Sequence, residues 1–81
     1  MPLSFVLPGE EVFIERLVGG KQFQQRLADM GLTPGTEVEV IKASGPGPII
    51  VAFRGSRLAL GHGISQKVLV SVNNRPAKDI D

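Results

Sequence analysis

Alternating hydrophobic and polar residues predict five short β-strands along this chain of 81 residues. In most of these segments every second side chain is apolar, which is the pattern of a strand that packs one face on a core. The predicted strands cover residues 11–18, 36–42, 49–53, the surroundings of 58–60, and 67–72. Glycine and proline separate the segments, so tight turns are expected between them.

The first strand carries apolar residues on both faces. Val12 and Ile14 share one face, whereas Phe13 and Leu17 fall on the other. Two explanations remain open at this point: the strand is covered on both sides, or a β-bulge shifts its register.

A helix is predicted for residues 21–30, where the hydrophobic period changes from two to nearly four. Phe23, Leu27 and Met30 form one stripe and are predicted to lie in the core. The polar residues of the opposite face are expected to point outward: Gln22, Gln25, Arg26 and Asp29.

The helix is expected to end in a glycine cap followed at once by a turn. Gly31 suits the left-handed residue just past a helix end, and Leu32 then contacts Leu27 in a Schellman motif. Pro34 and Gly35 suit the two central positions of a type II turn. Structural roles are therefore predicted for six residues: Leu27, Met30, Gly31, Leu32, Pro34 and Gly35.

Short strands, tight turns and one helix predict a mainly β fold, a small barrel of about five strands with one inserted helix. Gly55 and Ser56 are expected to form a type II′ hairpin turn, and one helical turn is expected around residues 64–66. One domain is predicted over residues 1–72, followed by a polar and flexible tail at 73–81.

Composition argues against several functions. The chain has 9 basic and 8 acidic residues, a balance unlike that of a dedicated nucleic-acid binder. It has no cysteine and a single histidine, so no enzyme activity is predicted. Neither tyrosine nor tryptophan is present, which argues against the aromatic groove that binds proline-rich peptides. Residues 1–8 do not resemble a signal peptide, so a cytoplasmic location is expected.

Metal ligation has only weak candidates, and no cofactor is predicted. Glu37 and Glu39 share one face of a strand, a pattern that more often marks a solvated face than a metal clamp. His62, between two glycines, is the other candidate. It lacks partners at ligand spacing, which leaves an adventitious site or one shared with a second chain.

Taken together, the motifs resemble the FeoA family of small proteins in bacterial ferrous iron transport. The resemblance rests on the order and spacing of glycines and apolar residues from about Leu7 to Val72. Its segments are Gly19–Gly20, Arg26–Leu32 with Pro34–Gly35, Gly47–Val51, Gly55–Gly61 and Val68–Val70.

The resemblance implies an SH3-like barrel without enzymatic activity of its own. It also implies a partner, the FeoB-type membrane GTPase that carries Fe²⁺, which would recruit the chain to the inner face of the membrane. A module like this one forms the C-terminal part of some metal-dependent repressors. Because no DNA-binding helix-turn-helix segment precedes the module in these 81 residues, a regulator is not expected.

Two surfaces are candidates for the partner. One is the outward face of the helix with Gln25, Arg26 and Asp29, and the other is an apolar patch at Ile41 and Leu69. Such a patch and the sheet edges would also allow a homodimer.

The alternative function is a small RNA-binding barrel. Its candidate contacts are three basic residues near the predicted hairpin: Lys42, Arg54 and Arg57.

Overall fold

Five strands and two helices make up the chain in the computed structural model, which describes residues 1–43 and 46–72. The elements are a 3-10 turn at Leu3–Phe5, β1 (Glu11–Leu17), α1 (Lys21–Asp29), β2 (Glu37–Lys42), β3 (Ile49–Phe53), β4 (Ser56–Leu60), α2 (His62–Ser65) and β5 (Val68–Val72). The predicted mainly β chain with one longer helix is confirmed. The tail predicted at 73–81 lies outside the described residues.

All five strands belong to one antiparallel sheet, in the order β4-β3-β2-β1-β5. Strands β2, β3 and β4 follow one another as a meander, whereas β1 pairs with β2 on one side and with β5 on the other. This connectivity, with the sheet wrapped around a single core, agrees with the predicted SH3-like barrel.

The core consists of aliphatic side chains that every strand and α1 contribute. Strands β2, β3 and β5 alternate buried and more exposed residues, as predicted, because one face of each packs inward. The buried apolar residues are Leu3, Val6, Val12, Ile14, Leu17, Leu27, Leu32, Val38, Val40, Ile49, Val51, Leu60, Val68 and Val70.

A β-bulge in β1 explains its apolar residues on two faces. The register with β5 shifts between Ile14 and Arg16, so one residue of β1 has no partner there. The shift turns Leu17 to the same side as Val12 and Ile14, and all three are buried. Of the two explanations that the sequence leaves open, the bulge is the correct one for Leu17.

The end of α1 is a complete Schellman motif, as predicted. Gly31 has φ +94°, and its N–H donates to the carbonyl oxygen of Ala28 at 2.9 Å. The Leu32 N–H donates to the carbonyl oxygen of Leu27 at 2.8 Å. These are the two hydrogen bonds that define the motif, and both leucines are buried.

The type II turn after the helix is confirmed as well. Gly35 has φ +96°, and the Thr36 N–H donates to the carbonyl oxygen of Thr33 at 3.0 Å. The Gly35 N–H also donates to the carbonyl oxygen of Ile14 at 2.7 Å. This hydrogen bond therefore holds the turn that follows α1 against the middle of β1.

The core stripe predicted on α1 is only partly correct. Leu27 is 2% exposed and Phe23 is half-buried, but Met30 is 39% exposed. Met30 is the C-terminal cap residue rather than part of the helix, so the chain already turns away from the core there. Met30 therefore does not belong to the core, and the helix is anchored by the buried Leu27 and by Phe23, which packs against the core.

The hairpin between β3 and β4 differs from the prediction. Phe53 pairs with Ser56, so the two turn residues are Arg54 and Gly55. Both have positive φ, +53° and +79°, which is the signature of a type I′ turn. The type II′ turn at Gly55 and Ser56 is therefore wrong, because Ser56 already belongs to the strand.

Replacing Arg54 with asparagine is expected to stabilise the domain by about 0.5 kcal/mol, because Asn-Gly is the preferred pair for a type I′ turn. Urea unfolding measures the change as a higher midpoint at unchanged slope. As a control, Arg57→Asn in β4 should give no gain, since asparagine is disfavoured in strands. A midpoint for Arg54→Asn at or below that of the native protein would contradict the expectation.

The first residues of the chain complete the sheet, although no element is predicted for them. Pro2 lies opposite Leu69, and the Met1 amino group donates to the carbonyl oxygen of Val70 at 3.2 Å. The Val70 N–H donates in return to the carbonyl oxygen of Met1 at 2.8 Å. The following 3-10 turn inserts Leu3 into the core, so the outer edge of β5 is covered along these residues.

Candidate functional site

The outward face of α1 carries the polar residues predicted for it. Gln25, Arg26 and Asp29 are all exposed, and the Gln25 side-chain amide donates to Asp29 Oδ1 at 2.9 Å. Arg26 has no ion pair with any described residue. The helix therefore presents an exposed guanidinium group beside a carboxylate that already accepts a hydrogen bond.

Between α1, the end of β4 and α2 lies a groove of about 360 Å³, which we call the α1–β4 groove. It is more enclosed than three other hollows of the described surface, one of which lies beside Gln25 on α1 and is equally apolar. Its lining includes Phe23, Arg26, Met30, Ala59, Leu60 and Ile64. Met30, which was wrongly predicted to lie in the core, lines this groove instead.

The α1–β4 groove is flanked by positive charge. Arg26 lines it directly, and Arg57 is exposed on β4, two residues before Ala59. Lys67 holds its ammonium 5.5 Å from the centre of the Phe23 ring, within the range of a cation–π contact. Asp29 is the one acidic residue of the wall, and it is engaged by Gln25.

The apolar pair Ile41 and Leu69 lies apart from this groove. Ile41 occupies an irregularity of β2, where the register with β3 shifts, and Leu69 lies in β5 opposite Arg16. Both residues are half-buried. The most exposed large apolar side chains are instead Phe5, at 72%, and Leu7, at 66%. The structure thus does not bring the two predicted partner surfaces together.

The carboxylates of the sheet lie side by side on its outer face. Glu11 pairs directly with Glu39, and Glu37 lies opposite Phe13. Over residues 1–43 and 46–72 no group of three histidine or acidic side chains is placed to hold a metal ion.

His62 begins α2 and is exposed, with its Nδ1 3.3 Å from the side-chain nitrogen of Gln66. The neighbouring Ser65 is buried, and its hydroxyl donates to the carbonyl oxygen of His62 at 3.1 Å. The serine hydroxyl therefore caps the backbone rather than meeting the imidazole, so these two residues do not form a nucleophile and base pair.

The basic residues of the RNA alternative are exposed but occupy different elements. Arg54 lies in the hairpin turn, Arg57 on β4 and Lys42 at the end of β2. Within the described part of the chain, neither helix is long and apolar enough to cross a membrane.

Comparison with known proteins gives one consistent family. The model of the FeoA domain matches residues 1–72. A protein of Methanocaldococcus jannaschii named "Putative Fe(2+) transport protein A" is 38% identical over 69 residues, which are 85% of this chain and 83% of that protein.

Solved structures agree with this match. The crystal structure of an iron uptake regulatory protein, FeoA, is 38% identical, with a TM-score of 0.81 over 86% of this chain and 93% of the other. The solution structure of iron(II) transport protein A from Clostridium thermocellum is 28% identical, with a TM-score of 0.80 over 90% of this chain and 46% of the other.

A manganese-dependent transcriptional repressor shares the fold, with a TM-score of 0.81 at 21% identity. The match covers 89% of this chain but only 36% of the repressor, so the common part is one module of a longer protein.

Proposed function

Because this chain belongs to the FeoA domain family, we propose that it is a non-enzymatic accessory protein of ferrous iron uptake. It acts by binding the cytoplasmic part of a FeoB-type membrane GTPase that transports Fe²⁺. The observation that carries the proposal is the family match over residues 1–72, joined by 38% identity to a relative named for Fe²⁺ transport. The function therefore rests on the whole domain rather than on one motif.

The surface chemistry supports binding over catalysis. The α1–β4 groove is apolar, and Arg26 and Arg57 beside it are exposed and have no ion pair with any described residue. An apolar centre with a charged rim is the usual composition of a protein interface. The half-buried side chains of Ile41 and Leu69 offer less surface to a partner, so we place the contact at α1.

Iron enters this proposal as the cargo of the partner. The two weak ligand candidates, His62 and the Glu37–Glu39 face, are not joined by other ligands in the described structure. We propose that the protein works in the cytoplasm and reaches the membrane through its partner. The family match also makes the RNA-binding alternative the weaker hypothesis.

Calorimetric titration against the purified cytoplasmic region of the FeoB-type GTPase tests the proposal. We expect saturable binding, with a Kd in the micromolar range that is common for transient regulatory contacts, about −8 kcal/mol. Arg26→Glu should weaken this binding about tenfold, because it reverses charge at the rim of the groove.

Arg16→Glu is the matched control, since Arg16 is exposed on β1 and does not line the α1–β4 groove. It should bind like the native protein. Absence of binding by the native protein, together with normal Fe²⁺ uptake in a strain that lacks it, would refute the proposed function.

A further inference from the structure

The two edge strands of the sheet, β4 and β5, differ in whether their free side is covered. The free side of β5 is covered by Met1 and Pro2, which pair with Val70 and Leu69. Strand β4 pairs only with β3, and no other described segment adds to it. An uncovered strand edge presents a row of backbone donors and acceptors that another strand can use.

The hairpin geometry shows which groups are unpaired. In a two-residue hairpin the residues that flank the turn exchange hydrogen bonds, here Phe53 and Ser56. Hydrogen-bonded pairs then alternate along the ladder, so Leu58 and Leu60 face β3. The N–H and C=O groups of Arg57 and Ala59 consequently point away from β3, and neither residue bonds to another described backbone group.

Ala59 lines the α1–β4 groove, and Arg57 lies two residues before it on the same free edge. Ala59 and Leu60 are consecutive, so their side chains point to opposite faces of the sheet. A groove lined by both must therefore run past the edge of the strand. Helix α1 forms its far wall through Phe23 and Met30. The space beside the free edge is thus bounded on its other side by apolar side chains.

The positive charges near the free edge of β4 indicate which kind of strand can pair with it. A second copy of β4 in antiparallel pairing would bring the two Arg57 side chains to the same face, where like charges are unfavourable. Arg26 adds another positive charge at the groove. An acidic residue opposite Arg57 would instead be favourable, and an apolar residue beside it would reach Phe23 and Met30.

We propose that β4 is the docking edge of this protein: an extended segment of its partner, carrying an apolar residue next to an acidic one, adds to β4 as a sixth strand. Backbone bonds to Arg57 and Ala59 supply the register, and the α1–β4 groove takes the apolar side chain. This inference rests on the proposed function, because the partner is taken to be the cytoplasmic region of the FeoB-type GTPase.

Amide hydrogen exchange, followed by NMR on the full chain with and without that cytoplasmic region, tests the strand directly. In the free protein the Arg57 and Ala59 amides should exchange quickly, while those of Leu58 and Leu60 are protected by β3. In the complex, exchange at Arg57 and Ala59 should slow about tenfold or more, since each gains a backbone hydrogen bond or loses access to water.

Two variants separate the backbone contact from the side chain. Ala59→Pro removes an N–H on the free edge of β4 and none of the hydrogen bonds to β3, and edge strands tolerate proline at such a position. It should weaken binding at least about tenfold, as expected when backbone pairing is lost. Ala59→Ser keeps the N–H and should stay within about threefold of the native protein. The NMR spectrum of each variant checks that the barrel is intact.

The outcomes distinguish the two claims. If the native protein binds but exchange at Arg57 and Ala59 is unchanged and Ala59→Pro binds normally, strand addition is wrong and the proposed function stands. If the native protein does not bind, strand addition is wrong, and the proposed function fails as well when Fe²⁺ uptake is normal in a strain that lacks the protein. If the protein alone protects these amides and sediments as a dimer, a second copy occupies β4, which overturns the inference as stated.

Discussion

Replacing Leu27 with alanine is expected to lower the free energy of unfolding by about 3 kcal/mol, within the range for a buried leucine. Leu27 is 2% exposed and is the one fully buried side chain of α1. Its carbonyl oxygen also accepts the Leu32 N–H in the helix cap, so a loosened helix loses that bond too. In a domain this small the melting temperature should fall by more than about 10 °C.

Met30→Ala is the matched control on the same helix. Met30 is 39% exposed and lines the α1–β4 groove, so its truncation should cost less than about 1 kcal/mol. Thermal melts of both variants, with circular dichroism at helix wavelengths, give the comparison. Equal losses would mean that Met30 belongs to the core after all, as the hydrophobic stripe of the sequence suggests.

Replacing Gly31 with alanine is the second change with a large expected effect, a loss of about 2 kcal/mol. The residue has φ +94°, where a side chain costs about 1–2 kcal/mol. A Cβ atom there would also lie 3.0 Å from Cε2 of Phe53, closer than ordinary contact. The aromatic ring would have to move, and it packs against the core.

Gly35→Ala separates these two causes. Gly35 has nearly the same backbone angle, φ +96°, but its Cβ would meet no heavy atom within 4 Å. We expect about 1 kcal/mol for this variant, so the difference between the two measures the crowding at Phe53. Urea unfolding of both proteins provides the values. A Gly31→Ala protein as stable as the native one would contradict the assigned helix cap.

The segment from Leu27 to Gly35 could be predicted residue by residue. Its structure follows from short-range rules: a glycine allows the left-handed cap, and a Pro-Gly pair sets the turn. The five strands were predictable for a similar reason, since alternation reports which face of a strand is buried.

The predictions were wrong where residues that are distant in sequence determine the local structure. Met30 fits a helical stripe, but the helix ends before it, and only the assembled fold places it at the groove. The hairpin turn shifted by one residue because the pairing of β3 with β4 makes Ser56 a strand residue. Leu3 and Val6, three residues apart beside Pro2, were the available signal for the missed N-terminal turn.

Less of the candidate site could be predicted from the sequence. Arg26 and Asp29 were identified on α1, and both line the α1–β4 groove. Ala59 and Ile64, which form its other side, come from segments about thirty residues further on and meet the helix only in the folded chain. An outward alanine in a short strand carries no distinctive pattern, so nothing local marks it as part of a surface.

The strand order has a consequence for how the chain acquires its structure during synthesis. Strands β2, β3 and β4 are neighbours in sequence and can pair as soon as they leave the ribosome. Strand β1 can complete its pairing only after β5 has been made, and Pro2 can pair with Leu69 only at that stage. Leu3 and Val6, core residues that are made before β1, are thus among the last to be shielded from water, and until then they are exposed to chaperones and to aggregation.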